Sequence, residues 1–558
     1  MTVDPSQIEF GQSMPPHGPH TITVHAPGWD TAMRFRDGDM SVIMRMKSLY
    51  PRFGPFGVSA ALCHAIAQKL QLPEGYTCAA FLSPDAWSAN RARALSAFHR
   101  EHRLAPADLR HHVVDAGGVR LYVVAFPAAK MMGAIFMWQH GGRGFSTRLA
   151  ESLLPEVTSS QRQLVHVGEF PPDGCDGSSL PAPTYLPETE SHGLLRERIA
   201  ALLMRAPAAP HAVAVAADDV FLYPTGMAAI ERFHAVAAAA RPHGPVAVFG
   251  AVFHSTHHLF EESAAGARLY KRCDAADLDA FEAHLEAGGA CSYVFTEFPS
   301  NPVMVCVDLV RLRKLADKHG FFLAVDDTCA SFANIDLLAA ADAVLTSLTK
   351  SFSGYADVMA GSVALNPNSA RAYAALKPAL AASFRNELFA ADAARLLANS
   401  ADFLARAAVL NRNAAALAAY FAALAADDDP ASSPVRRVWY PPHSPGSAHH
   451  LAPFMRGATT ELSSPGYGCL LSVEFATLED AARFYDALNF VHGPHLGAHL
   501  SLALPYTAIT YGKEKPEEYE PYGMNTRQIR ISVGLEDEEV LLQRCKDAVA
   551  KMVEEGKK

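Results

Sequence analysis

Two side chains in this sequence could share one piece of chemistry. Asp326 follows the apolar run Phe321–Val325, and Lys350 follows a second run, Ala343–Ser347, within FFLAVDDTCASFANIDLLAAADAVLTSLTKSFSG. A lysine amine can form a Schiff base, and a carboxylate can hold a protonated pyridine nitrogen. Those are the two protein groups that pyridoxal phosphate needs. Taken singly, a strand-end aspartate reads as a turn cap, and a lysine in a Ser/Thr loop as a solvated residue. Their spacing of 24 residues, each just past an apolar run, gives the pair its weight.

The elements that must position them follow from the apolar pattern. Phe321–Val325 has no alternation and no charge, so it reads as a strand of a parallel sheet covered on both faces. Asp326 and Lys350 then stand at the C-terminal strand edge, where open α/β sheets bind ligands. DLVRLRKLADKHG at 308–320 reads as an amphipathic helix ended by Gly320, which completes a βαβ unit. Upstream, the strand Val220–Tyr223 turns through Thr225–Gly226–Met227 into an Ala-rich helix. Backbone N–H groups at such a start suit a phosphate, and Gly lets the anion approach. Further strands are read at 245–250, 292–298 and 361–367. In RQIRISVGLED, Gln528, Arg530 and Ser532 share one strand face, and Ile529, Ile531 and Val533 the other. An arginine so placed can be held rigidly for a carboxylate.

VDDT followed by SLTKSFSGYADVMAGS resembles the cystathionine γ-synthase family of pyridoxal-phosphate enzymes, and its fungal branch most of all. The resemblance implies fold type I, the α/β aspartate aminotransferase-like fold, with a smaller C-terminal α/β domain and an N-terminal α/β extension. It implies that Lys350 carries the cofactor, that Asp326 rather than Asp327 holds the pyridinium, and that Ser347 and Thr349 hold the phosphate. It sets Thr225–Gly226–Met227 at the family's Ser-Gly-Met cofactor loop. Asn301, in Pro299–Ser300–Asn301–Pro302, matches the residue that hydrogen-bonds the cofactor's phenolic oxygen. Arg530 matches the arginine that binds the substrate α-carboxylate, and Ser501 the serine of the substrate loop, where Leu500 replaces a glutamate. Arg148 matches the arginine of a Tyr-x-Arg that reaches a neighbouring subunit's cofactor phosphate, with Ser146 in place of the tyrosine; a surface arginine at a helix start is the other reading. Phe253 falls where the family has a tyrosine that stacks on the cofactor and takes part in proton traffic. It keeps the ring face and lacks the hydroxyl, with His254 next to it.

The resemblance divides the chain into an extension at 1–153, a cofactor-binding domain at 154–395 and a small domain at 396–558. Residues 155–190 read as a loop-like linker, and 426–450 as a loop-rich insertion. The implied reaction is γ-replacement on an O-acylhomoserine by cysteine, giving cystathionine. A sulfhydrylase, a relative making an unusual amino acid, and a silent subunit of the same fold are the alternatives.

Composition bounds these readings. Half of the 558 residues are hydrophobic and 19% are charged, enough for a large core. A net charge of −10 argues against nucleic acid as a partner. No apolar run of membrane-spanning length and no signal-peptide pattern is read. Nine cysteines without a CxxC, an odd number, suit free thiols in the cytoplasm. Among the 25 histidines, the adjacent pairs His257–His258 and His449–His450 lack an HxxxH with a nearby acid and are read as loop or surface residues rather than metal ligands. Small amino acids are the expected partners, in a homodimer or homotetramer with shared active sites.

Overall fold

A computed structural model describes residues 3–96, 102–160, 164–170, 179–426 and 433–557. Its centre is a seven-stranded sheet. The strands lie side by side in the order Val220–Tyr223, Gly361–Leu365, Ala343–Thr346, Phe322–Asp326, Tyr293–Glu297, Val246–Phe249 and Ala267–Tyr270. Gly361–Leu365 runs antiparallel to both its neighbours, and the other pairs are parallel.

The charge-free run at 321–325 is a consequence of double coverage. Leu323 and Val325 pack into a core with Leu195, Phe281 and Leu312 from the helices Glu190–Met204, Ala275–Glu286 and Leu309–His319. Phe322 and Ala324 pack on the opposite face with Phe233 and Leu376, from Gly226–Ala240 and Ala370–Ser383. Each fully buried Leu or Phe contributes about 1.5–3 kcal/mol. The helix Leu309–His319 starts where Asp308 accepts the Arg311 N–H at 2.9 Å, and it stops at Gly320, whose φ of 78° is left-handed. That stop turns the chain back into the central strand.

An antiparallel sheet of Tyr76–Phe81, Val119–Pro127, Arg110–Ala116 and Val165–Phe170 forms the amino-terminal unit. Its last strand lies in the stretch expected to be a linker, of which 161–163 and 171–178 fall outside the described residues. Four of the six side chains of Val165–Phe170 are exposed, so the edge strand carries no buried alternation that a sequence reading could detect. Buried Arg143 ties this unit to the large domain, 2.7 Å from Glu387 and 2.9 Å from Asp85. A five-stranded sheet, Val435–Trp439, Leu470–Phe475, Gln528–Ser532, Leu502–Leu504 and Val491–His492, forms the carboxyl-terminal unit. Its first strand lies in the expected insertion, of which 427–432 fall outside the described residues. Ala390–Ala425 is long and apolar enough to cross a membrane by length and composition. It is interrupted at Ser400–Asp402, and Leu417, Ala418 and Phe421 pack into the core of the carboxyl-terminal unit.

Candidate active site

Lys350 sits in the turn that closes the strand Ala343–Thr346, its N–H donating to Ser347 O at 3.1 Å. Its Nζ lies 4.8 Å from the centre of the Tyr50 ring. Burial lowers the lysine pKa; the nearby phenol opposes the shift, and the charges of Arg52 and Arg530 add to it. A lowered pKa makes the free amine, the nucleophilic form, more available near neutral pH.

Asp326 and Glu297 are partners in register on adjacent strands, and both are buried. Burial raises both carboxyls, and Asp326 raises Glu297 further. A cation beside Asp326 would reverse its shift, and a protonated pyridine nitrogen is such a cation. Glu297 joins two site loops, accepting the Phe253 N–H at 2.5 Å and the Asn301 N–H at 3.1 Å. Asp327 turns away, as neighbours along a strand must. It accepts the Thr346 hydroxyl at 2.6 Å, and burial pushes its pKa up to about 7. The structure thus separates the two aspartates by face.

The expected phosphate cradle is assembled. A Cβ on Gly226 would come within 2.7 Å of Ser347 Cβ, so only glycine allows the two loops to meet so closely. Two of the expected hydroxyls are already engaged. Thr225 accepts the Ala228 N–H at 2.9 Å and donates to Gly142 O at 2.9 Å. Thr349 exchanges hydrogen bonds with Ala360, at 3.1 and 3.0 Å. They shape the cradle, while the Ser347 hydroxyl and the first N–H groups of the helix at Gly226 and Met227 suit the anion. The Met227 side chain is buried in the core.

Arg530 is buried, with Nη1 donating to Asn301 Oδ1 at 3.2 Å and Nη2 to Pro494 O at 2.6 Å. Its guanidinium lies 4.8 Å from the Tyr506 ring centre. Its charge depresses the lysine and histidine pKa values at Lys350 and His495. Phe253 caps the start of His254–Glu261, and its ring centre lies 5.3 Å from the Arg52 guanidinium, so it borders the site. His254 instead meets His258 at 3.0 Å. Lys350, Asp326, Asn301, Phe253, Arg530 and the cradle are therefore brought together. Their donors and acceptors fit pyridoxal phosphate: a carboxylate for the ring nitrogen, an amine for the aldehyde, and an N–H cradle with nearby guanidinium charge for the phosphate.

Two expected residues do other work. Arg148 donates to Asp392 Oδ1 at 3.0 Å and to Asp357 O at 2.7 Å, and Ser146 caps the helix Thr147–Thr158. Within the chain the arginine neutralises a buried carboxylate. Ser501 has its hydroxyl 2.9 Å from Glu536 Oε2 and accepts the Gly534 N–H at 2.9 Å. It braces the loop, its one donor spent on Glu536 and one of its two lone pairs on Gly534.

The sequence reading missed Tyr50 and Arg52. Tyr50–Pro51–Arg52 carries the Tyr-x-Arg spacing that was expected at 146–148. The segment is pinned by Trp138 Nε1, which donates to Pro51 O at 2.7 Å, and by Arg52, which donates to Gln139 O. His495 was also missed; it is buried, 6.3 Å from Tyr50 between ring centres, and neither ring nitrogen has a partner. No apolar pattern could have signalled it.

A family model described as "Cys/Met metabolism PLP-dependent enzyme" matches residues 211–550. A "Cystathionine gamma-synthase-like enzyme iboG2" of Amanita muscaria is 30% identical, over 98% of this chain and 96% of its own. An "Alanine racemase ungC" of Aspergillus violaceofuscus is 38% identical, over 78% of this chain and 74% of its own. Among solved structures, cystathionine gamma synthase from Xanthomonas oryzae pv. oryzae has a TM-score of 0.51 at 23% identity, covering 68% of this chain and 90% of that one, and shares the fold. With the family model covering more than half of its length, the chain belongs to the Cys/Met metabolism family of pyridoxal-phosphate enzymes and is a cystathionine γ-synthase-like member of it.

Proposed function

We propose that this enzyme carries out γ-replacement on an O-acylhomoserine, with cysteine as the entering thiol and cystathionine as product. The observation that carries the proposal is the convergence of a buried lysine, a buried strand-end carboxylate and a buried arginine held for a carboxylate. Lys350, Asp326, Asn301 and the Gly226–Ser347 cradle would hold pyridoxal phosphate, which supplies an electron sink for carbanions at the substrate's Cα and Cβ.

The rest is done by the chain's own groups. Arg530, its fork fixed by Asn301 and Pro494, pairs with the α-carboxylate and so fixes which substrate bonds face Lys350. Lys350, its pKa lowered by burial, takes the Cα proton as a general base and moves a proton at Cβ, so that the γ-acyl group can leave. Asp326 stays ionised opposite the pyridinium, because two opposite charges buried together stabilise each other.

A second reading is racemisation, which needs only proton exchange at Cα. The relative named as an alanine racemase favours it. A sulfhydrylase using sulfide fits the same residues. We also propose a homodimer or homotetramer in the cytoplasm; the eight described cysteines are buried and unpaired, which supports a reducing compartment.

Purified enzyme with O-acetylhomoserine is offered cysteine, sulfide or water, and separately L-alanine in deuterium oxide. Cystathionine as the main product supports the proposal. Racemised, deuterated alanine without γ-replacement favours the second reading and overturns the first.

A further inference from the structure

Position 253 has a ring face and no hydroxyl, yet a phenol stands beside Lys350 from another direction. Tyr50 is buried, and the centre of its ring is 4.8 Å from Lys350 Nζ. Its oxygen interacts with the Arg52 guanidinium and the Thr349 hydroxyl. The segment cannot drift, because Pro51 O accepts from Trp138, Phe53 O accepts from Gln139 at 3.1 Å, and Arg52 is tied to Gln139 O. Tyr50 belongs to a buried apolar cluster with Ala356, Met359, Ala498 and Leu500.

We propose that Tyr50 is a catalytic residue that supplies the proton-transferring hydroxyl position 253 lacks, taking up, beside Lys350, the proton released by the α-nitrogen of the incoming amino acid. An amino acid arrives as an α-ammonium, whose nitrogen must lose one proton before it can form a bond. Tyr50 Oη as phenolate accepts that proton: an O–H bond forms as an N–H bond breaks, and no oxidation state changes. When the product amine leaves, the proton returns from Oη to nitrogen and the phenolate is restored.

The surroundings suit this exchange. Burial by itself raises a phenol's pKa, but the charges of Lys350 and Arg52 outweigh it, and the net shift is downward. The titratable and charged groups facing Tyr50 are Lys350 from the strand-end turn, Arg52 from its own segment and the His495 ring at 6.3 Å. Burial keeps His495 neutral, so Lys350 and Arg52 are the groups that act on the phenol.

The inference rests on the reading of the site as one that handles amino acids. Wild-type and Tyr50→Phe holoenzymes are compared for turnover of O-acetylhomoserine, for α-proton exchange of L-alanine in deuterium oxide, and by carbon-13 resonance of labelled tyrosine Cζ, which moves on ionisation. The expected result is a loss in kcat of about 10²-fold or more, with KM within about threefold. The resonance lost in the variant belongs to a phenol ionising below the ordinary value of about 10. A kcat within about threefold of wild type, or a lost resonance that titrates at or above that value, overturns the proposal. Exchange by both proteins at equal rates removes the role of Tyr50 and leaves the proposed reaction standing. A wild type inert on O-acetylhomoserine, with alanine exchange slowed in the variant, removes the reaction and leaves Tyr50 standing.

Discussion

Asp327→Asn should make this protein less sensitive to alkaline pH without abolishing its chemistry. Asp327 is 1% exposed, accepts the Thr346 hydroxyl at 2.6 Å, and has its pKa pushed from 3.8 to about 7 by burial, with the neighbouring Asp326 adding to the shift. The folded pKa is raised, so the folded state prefers the protonated acid. That contribution is fully present below the unfolded pKa and is lost as pH rises through about 7. At about 1.4 kcal/mol per pKa unit, burying this group, which is ionised in the unfolded chain, costs the wild type about 1.5 kcal/mol at pH 5 and about 4 kcal/mol at pH 8. Asparagine does not ionise, and its carbonyl can still accept from Thr346. Relative to wild type, Asp327→Asn should therefore gain about 2–3 kcal/mol between pH 5 and pH 8. Urea unfolding at the two pH values measures this. A stability difference that does not change with pH would refute the assignment of the charge to the protein interior. Asp326→Asn, in contrast, should cost far more activity than Asp327→Asn.

Arg148→Ala should leave cofactor affinity unchanged and cost about 3 kcal/mol of stability, because Asp392 loses its buried partner; titration with pyridoxal phosphate and thermal unfolding read the two effects. Ser501→Ala should lower Tm while leaving KM for the amino acid within about twofold, since its hydroxyl serves Glu536 and Gly534; a large rise in KM would return it to the substrate site. Tyr50 and Arg52 reach Lys350 within one chain, so co-refolded Arg52→Ala and Lys350→Ala proteins should show no activity above that of the separate variants. Recovery of about a quarter of wild-type activity, as random pairing would give if each site borrowed its partner's segment, would contradict that arrangement.

The parts legible in sequence were those with one dominant cause. Phe322–Asp326 is read because burial on both faces leaves no polar position, and Leu309–His319 because its apolar stripe ends in a left-handed glycine. Lys350 and Asp326 are read because each ends or follows an apolar strand of one sheet, whereas Asn301 and Arg530 are read through the family resemblance, Arg530 standing within Gln528–Ser532 of another sheet. Tyr50 and Arg52 carry a Tyr-x-Arg spacing but lie far upstream of the cofactor-binding segments, and only the fold brings them and His495 beside Lys350 and each other. Arg148 shows the converse failure. A matching spacing suggests a phosphate ligand, and nothing in that spacing signals the buried carboxylate of Asp392 that the side chain pairs with inside its own chain. Ser501 likewise sits in the expected loop while its hydroxyl is drawn to Glu536. Val165–Phe170 was hidden because an exposed edge strand needs no apolar alternation.

The central claim is that the buried lysine at the end of Ala343–Thr346 is the covalent anchor of the cofactor. Borohydride reduction of the purified holoenzyme, followed by proteolysis and mass spectrometry, tests it most directly. One pyridoxyl-modified peptide is expected, with the label on Lys350 and none in Lys350→Ala. A label carried by any other lysine would contradict it.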